Sequence, residues 1–294
     1  MILISPKEKE YELIDSGEGE KLERYGQYVF RRPDPEALWN KKEKVSVWEK
    51  ADLKFERHGV KTKWIIKDKV PNNWQIKYGN YNFSIRPTSF KHIGLFPEQI
   101  SNWQWMEKLI KKEDQGKDLK KEPVSVLNLF AYTGGASMAC ALAGASVCHV
   151  DASKQAVAWA RENAILSGLE EAPIRWIIDD VILFLKREVK RGRKYDAIIM
   201  DPPSFGHGPK DELWKIEEGF LELMKLSKEL LSDNPIFFLI NGYTAGYSPL
   251  VYENNLKEIF NNKKGKIESG ELVIAEKNSD RVLPCGIFAR WRKE

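Results

Sequence analysis

The chain has 294 residues, 42% hydrophobic and 31% charged, with 47 Lys and Arg against 43 Asp and Glu for a formal charge of +4. That length holds one large or two modest domains, and the balance is that of a globular protein rather than a disordered or fibrous one. No apolar stretch is long enough for a membrane span and the start, Met1 to Lys7, lacks a signal-peptide pattern, so a cytoplasmic location is expected; Cys140, Cys148 and Cys285 have neither metal-ligand nor disulfide spacing, and no structural metal is predicted.

Charge is unevenly spread. Residues 1 to 30 carry a net −3, residues 31 to 95 carry 15 Lys and Arg against 7 Asp and Glu, and the remainder is nearly neutral. A basic excess confined to the region before the main α/β pattern suggests a surface that meets phosphates, although a lysine-rich solvated face explains the same numbers. Tyr11 to Phe30, with Gly17 and Gly19 between alternating runs, predicts a hairpin. Short strands are expected around Val45 to Trp48, Lys63 to Ile66, Trp74 to Tyr78 and Tyr81 to Ile85. Residues 1 to 85 thus read as a small β-rich accessory domain. Its Trp39, Trp48, Trp64 and Trp74 suit either a base-stacking platform or a small aromatic core.

Residues 86 to 123 read as a linker with one helix: a glycine- and proline-punctuated junction, an amphipathic stretch from Ile100 to Ile110, and a polar connection from Lys111 to Glu122. Residues 124 to 294 form the second domain. Val124 to Phe130 predicts a buried strand stopped by Gly134 and Gly135, followed by a small-residue helix to Ala143 with Gly144 as its left-handed cap. A strand from Ala145 to Val150 ends in Asp151. Helices and strands then alternate: helix Ser153 to Ser167, strand Trp176 to Ile178 closed by Asp179 and Asp180, helix Val181 to Lys190, strand Tyr195 to Met200, helix Asp211 to Leu231 and strand Ile236 to Ile240. Gly270 to Ala275 and Gly286 to Trp291 close the chain as an antiparallel hairpin. The order predicts a doubly wound, Rossmann-like, mostly parallel seven-stranded sheet.

A dinucleotide turn would space its glycines G-x-G-x-x-G to admit a pyrophosphate. Here Gly134 and Gly135 are adjacent and the next glycine is Gly144, a poor phosphate cradle. The turn suits an adenosine ligand without phosphates. Asp151, Asp180 and Asp201 each close a strand at the edge where open sheets bind ligands, although each could equally cap a helix.

Four motifs, Asn128-Leu-Phe-Ala-Tyr-Thr-Gly-Gly135, His149-Val-Asp-Ala-Ser153, Asp179-Asp-Val181 and Asp201-Pro-Pro-Ser-Phe205, resemble in order and spacing the class I S-adenosylmethionine-dependent methyltransferases, and among them the bacterial 23S ribosomal RNA large-subunit group. The resemblance covers about residues 84 to 245. It implies S-adenosyl-L-methionine as cofactor and RNA as partner. By position it implies cofactor contacts from Asn128, Phe130, Ala131, Tyr132, Thr133, Gly134, Gly135, Asp151, Ala152, Asp179, Asp180 and Asp201, with Asp151 at the ribose and Asp180 at the adenine amine. Phe96 and Gln99 lie in a Gly-Leu-Phe-Pro-Glu-Gln segment that resembles an upstream cofactor-contacting stretch.

Asp201, Pro202, Pro203 and Phe205 are the implied catalytic residues. In relatives that methylate a planar nitrogen, such a turn holds the acceptor amine on oxygen atoms and stacks an aromatic ring on the base. Two prolines stiffen it, and Ser204 separates them from Phe205. Methylation of cytosine carbon 5 is the alternative, and it needs a cysteine thiolate. Relatives place that cysteine just after strand five, where this chain has Asn241-Gly-Tyr-Thr244; only Cys285 remains as a candidate. An RNA-binding module without turnover and a nicotinamide-dependent oxidoreductase are the readings from other classes.

Overall fold

The computed structural model describes residues 1–58, 61–88, 91–114, 122–244 and 246–294. They form two compact units. One comprises Leu3–Ser101 with Leu272–Cys285, the other Met1–Ile2, Asn102–Glu271 and Gly286–Glu294.

The first unit is rich in strands. Tyr11–Gly17, Glu20–Tyr25 and Tyr28–Pro33 form two successive antiparallel pairs where the sequence suggested a single hairpin, because Gly26 supplies a second tight turn with φ of 63°. Leu53–His58 and Lys61–Ile66 complete this five-stranded sheet, and Trp74–Tyr78 pairs with Tyr81–Ile85. The segment Val45–Trp48, expected as a strand, is one turn of helix. Its β-branched residues favour a strand, but burial of Trp48, whose indole N–H donates to Asp15 at 3.0 Å, overrides that local preference. The other three indoles also donate within the unit: Trp39 to Ser16, Trp64 to Thr88 and Trp74 to Tyr25. These tryptophans serve the unit's own packing. Its core also encloses Glu23, which accepts from the Tyr11 and Tyr25 hydroxyls at 2.9 and 3.2 Å and from Arg32 Nε at 3.0 Å.

The alternating pattern of the second unit is β1 Ser125–Leu129, α1 Gly135–Leu142, β2 Ser146–Asp151, α2 Lys154–Leu166, β3 Ile174–Ile178, α3 Val181–Lys190, β4 Ala197–Met200, α4 Ile216–Leu230, β5 Phe237–Gly242 and α5 Pro249–Ile259, followed by β6 Lys266–Ala275 and β7 Val282–Arg292, of which 272–275 and 282–285 count with the first unit. The sheet order is β6-β7-β5-β4-β1-β2-β3, with the short strand Ile2–Ile4 added as an eighth beside β6. Three residues are too few to show a strand period, which is why the sequence suggested seven strands. β1 to β5 pair in parallel and β7 joins β5 antiparallel. Every residue of β4 and β5 is buried, as expected of strands covered on both faces. Their core residues pack against Phe184, Phe220, Leu223, Tyr252 and Leu256 of the flanking helices.

The chain winds from β1 outward through β2 to β3, then returns to start β4 on the other side of β1. That reversal leaves a crevice at the carboxyl ends of β1 and β4. Before α4, Phe205–His207 and Leu213–Lys215 form a small hairpin in place of the helical start expected from Asp211. The helix Ile100–Asp114 covers and extends the expected amphipathic stretch, while 115–121 of the polar connection lie outside the described residues. Among the described residues no helix is long and apolar enough to cross a membrane.

Candidate active site

The turn after β1 is strained where the sequence is most motif-like. Phe130 and Tyr132 have φ of 54° and 47°, and Gly134 has 85°. Left-handed backbone at an aromatic residue costs roughly 1–2 kcal/mol, so surrounding contacts must hold it. Several do. Ala131 N donates to the Val150 carbonyl at 3.1 Å, and Tyr132 N donates to Asp151 Oδ2 at 2.8 Å. Asn163 of α2, fully buried, donates to the Thr133 carbonyl at 2.9 Å. Asp151 Oδ1 accepts from Ser153 N at 2.8 Å, and Asp179 N donates to the Asp151 carbonyl at 3.1 Å. Asp201 N reaches the Leu129 carbonyl at 3.3 Å. The carboxyl ends of β1, β2, β3 and β4 are thereby stitched together, and Phe130 to Gly135, Asp151, Ala152, Asp179 and Asp201 share one edge.

The two glycines act through packing. A Cβ on Gly134 would lie 3.0 Å from that of Ala160, and one on Gly135 would come within 2.7 Å of Trp103 Cη2. Both positions let neighbours close on the turn. Burial pushes the Asp151 carboxyl above the ordinary aspartate range, against the two N–H donors that pull it down. An adenosine fits this set of acceptors, carboxylates for its hydroxyl and amine hydrogens.

Other motif residues are placed differently. Asn128 turns inward, donating to Ser137 Oγ at 2.9 Å, which in turn bonds His149 Nδ1 at 2.9 Å. Burial lowers the His149 pKa to about 3, so the imidazole is neutral. Asp179 pairs with Arg187, and Asp180 caps α3 by accepting from Leu183 N at 2.8 Å, which leaves its second oxygen for other partners. Phe96 and Gln99 belong to the strand-rich unit, at either end of the short 3-10 turn Pro97–Gln99, with Gln99 buried.

Beyond β4, Pro202 is buried, and the Pro203 carbonyl accepts from the Trp214 indole at 2.7 Å. The Trp214 ring lies 5.1 Å from that of Phe130, which ties the Asp201-Pro-Pro turn to the turn after β1. Gly219 makes room for it: a Cβ there would meet Trp214 Cζ3 at 2.5 Å. Phe205 is 56% exposed, edge-on to His207 at 5.2 Å. Trp103, Asn163 and Trp214 support the site without standing in any motif; the one trace in sequence is Asn163, a polar residue on the otherwise apolar face of α2. Among the described residues no cluster of three or more His, Cys, Asp or Glu could hold a metal ion.

The chain belongs to the S-adenosylmethionine-dependent methyltransferase family, whose model matches residues 62–254. A crystal structure of an S-adenosylmethionine-dependent methyltransferase from Agrobacterium tumefaciens is 39% identical, with a TM-score of 0.93 over 100% of this chain and 94% of that one. The protein SMU.776, crystallised with S-adenosylhomocysteine, shares the fold at 19% identity and a TM-score of 0.71, over 97% and 76% of the two chains. Ribosomal RNA large subunit methyltransferase K/L of Shewanella frigidimarina is 33% identical over 154 residues, 52% of this chain and 20% of that protein. The chain spans less than half the length of the curated relatives it matches.

Proposed function

We propose that the protein transfers a methyl group from S-adenosylmethionine to a base nitrogen of ribosomal RNA. The observation that carries this reading is the Asp201-Pro-Pro turn at the carboxyl end of β4, joined to the turn after β1 through Asp201 N and Trp214. The cofactor supplies the methyl group, activated as a sulfonium. Asp151 accepts from the ribose hydroxyls, Asp180 from the adenine amine through the oxygen not used as a cap, and the strained Phe130 to Gly135 turn shapes the methionine side. For Phe96 and Gln99 the proposal rests on the resemblance alone. Asp201 and the carbonyls of its turn accept the N–H groups of the target base and hold its lone pair in line with the methyl, and the gain is one of orientation. Phe205, exposed on its hairpin, offers a ring for the base. Names of curated relatives support ribosomal RNA as the substrate class, and the basic residues 31 to 95 support an RNA-facing surface on the strand-rich unit.

Transfer to carbon 5 of cytosine fits less well. Cys140 and Cys148 are buried, and burial pushes the Cys148 thiol up to about 11. Cys285 is also held well above the ordinary thiol range, first by burial and then by the Glu98 carboxylate, so no thiolate is poised to attack. The test is transfer of labelled methyl to deproteinised ribosomal RNA from a strain lacking the protein, followed by nucleoside mass spectrometry. A labelled methylguanine or methyladenine supports the proposal, and 5-methylcytosine refutes it.

A further inference from the structure

Near the carboxyl end of β5, Asn241 closes a buried relay of hydrogen bonds that the chemistry described so far does not use. The relay starts at Glu268 of β6, which accepts from Arg290 of β7 through Nε at 3.1 Å and Nη2 at 2.9 Å. Arg290 Nη1 donates to Asn102 Oδ1 at 3.2 Å, and Asn102 Nδ2 donates to Asn241 Oδ1 at 3.0 Å. Asn102 is 0% exposed, and the Arg290 guanidinium lies 4.5 Å from the centroid of the Trp105 ring. Trp105 in turn stands edge-on to Phe237 at 5.4 Å, so this part of the helix Ile100–Asp114 covers the face of β5 that carries Phe237, Leu239 and Asn241.

The polarity of this relay has one solution. Arginine only donates, so Asn102 must give its oxygen to Arg290 and its amide nitrogen to Asn241. Asn241 therefore accepts with Oδ1, and its two amide hydrogens are left at the other end of the group. Among the described residues Asn241 Nδ2 makes no hydrogen bond, and it is not one of their fully enclosed unpaired atoms. An oriented donor of this kind marks a place where an acceptor is wanted. Met200 pairs with Ile240, so the next residues, Asp201 and Asn241, stand side by side on one face of neighbouring strands, about 4.8 Å apart in the sheet.

We infer that Asn241 reads the target base, its Nδ2 donating to a ring nitrogen beside the amine whose hydrogens Asp201 accepts. The inference rests on the reading of Asp201 as an acceptor-site residue. A donor beside an acceptor on the protein matches an amidine edge, an amine next to a ring nitrogen that carries a lone pair. Adenine, cytosine and guanine each present one; uracil, whose ring N–H lies between two carbonyls, presents none. With the ring nitrogen engaged by Asn241, the exocyclic amine is the methyl acceptor. The amine nitrogen gains the methyl carbon, the electron pair of the broken S–C bond stays on sulfur, and the excess proton leaves through Asp201 to water. Asn102 and Arg290 are positioning residues that fix which end of the Asn241 amide meets the base.

The test uses the full chain and deproteinised ribosomal RNA from a strain lacking the protein. An exocyclic product is expected, N6-methyladenine, N2-methylguanine or N4-methylcytosine; a ring-nitrogen product such as 7-methylguanine keeps the base-nitrogen reading and overturns this inference. Asn241→Asp keeps an oxygen for Asn102, so the relay survives, but removes the donor. Its kcat/KM for RNA is expected to fall about tenfold or more, with S-adenosylhomocysteine affinity held within about twofold. Asn102→Asp leaves residue 241 untouched but offers it an oxygen, so the Asn241 amide must turn over and the same loss is expected. A packing role needs only the contact between residues 102 and 241, so unchanged kcat/KM in Asn241→Asp overturns the inference. Should the variants fail to fold, wild type with 15N-labelled asparagine decides: an Asn241 Nδ2 hydrogen must shift when RNA is added with S-adenosylhomocysteine, and unmoved resonances overturn the inference equally. Asp201→Asn separates the two layers. Inactive Asp201→Asn beside fully active Asn241→Asp removes the Asn241 role alone, whereas fully active Asp201→Asn removes the acceptor-site reading and the Asn241 role with it.

Discussion

Gly135→Ala isolates what the second glycine of the turn does. Gly135 is not among the residues with positive φ, so the added methyl strains no backbone angle; its consequence lies wholly in the contact with Trp103. The new Cβ would stand 2.7 Å from Cη2 and 2.9 Å from Cε2 of that indole, where ordinary carbon contacts are about 3.5–4.0 Å. The ring, 5% exposed, would have to withdraw by about 1 Å or more inside a packed interface. Overpacking of this kind costs about 1–3 kcal/mol. Urea unfolding of wild type, Gly135→Ala, Trp103→Leu and the double variant would measure it as a coupling energy. The double variant is expected to be more stable than the sum of the single changes by about 1 kcal/mol or more, because the smaller side chain removes the clash. Additive effects within about 0.3 kcal/mol, or a Gly135→Ala protein as stable as wild type, would refute the packing argument.

Four further outcomes follow from the same geometry. Asp180→Ser keeps a capping oxygen but removes the carboxylate, so stability should hold within about 0.5 kcal/mol while S-adenosylhomocysteine binding weakens in calorimetry; Asp180→Ala should also lose about 1 kcal/mol of stability. The raised Asp151 pKa means that the folded protein holds this proton more tightly than the unfolded chain does, so the ionised group lowers stability at neutral pH and stability is regained as pH falls through the raised value. On the proposed ribose contact of ionised Asp151, S-adenosylhomocysteine affinity should fall on acidification at a pH above the ordinary aspartate range, which binding titrations across that range would check. Glu23 is raised by burial but lowered more by Arg32 and Lys21, to about 2, so its stabilisation is complete above about 4.5 and is lost as pH falls from there toward 2. Glu23→Gln leaves Arg32 buried without its counter-charge and should destabilise the strand-rich unit by about 3–5 kcal/mol in denaturant unfolding. Cys285→Ala should leave methyl transfer to ribosomal RNA unchanged, and a loss of turnover with cofactor affinity intact would return the carbon-5 mechanism to consideration.

The alternating order of β1 to β5 was legible because β1, β2, β4 and β5, largely buried, are short apolar runs, and the part-exposed edge strand β3 is closed by Asp179 and Asp180. The strands stand between helices with clear ends: Ser153 caps α2 through Ala156 N, and Gly144 and Gly168 have φ of 97° and 71° just past α1 and α2. The same local signals picked out the turn after β1 and the aspartates at the strand ends. They misled where tertiary burial outweighs propensity, as at Val45–Trp48, and where an element is shorter than its own period, as at Ile2–Ile4 and the Phe205 hairpin.

By itself the sequence determined the α/β order, the edge on which the motifs gather and the kind of ligand the glycine spacing excludes, since each follows from chain-local periodicity and turn chemistry. Only the tertiary structure decided which motif residues face that edge. Asn128 turns into the sheet to bond Ser137, Gly135 exists for Trp103, Trp214 braces the Asp201 turn, and Tyr252 reaches the space left by Gly242. Those relations join residues on different elements, up to 32 positions apart for Gly135 and Trp103; they are set by side-chain volume and hydrogen bonding across packed layers, and no local pattern in the chain encodes them.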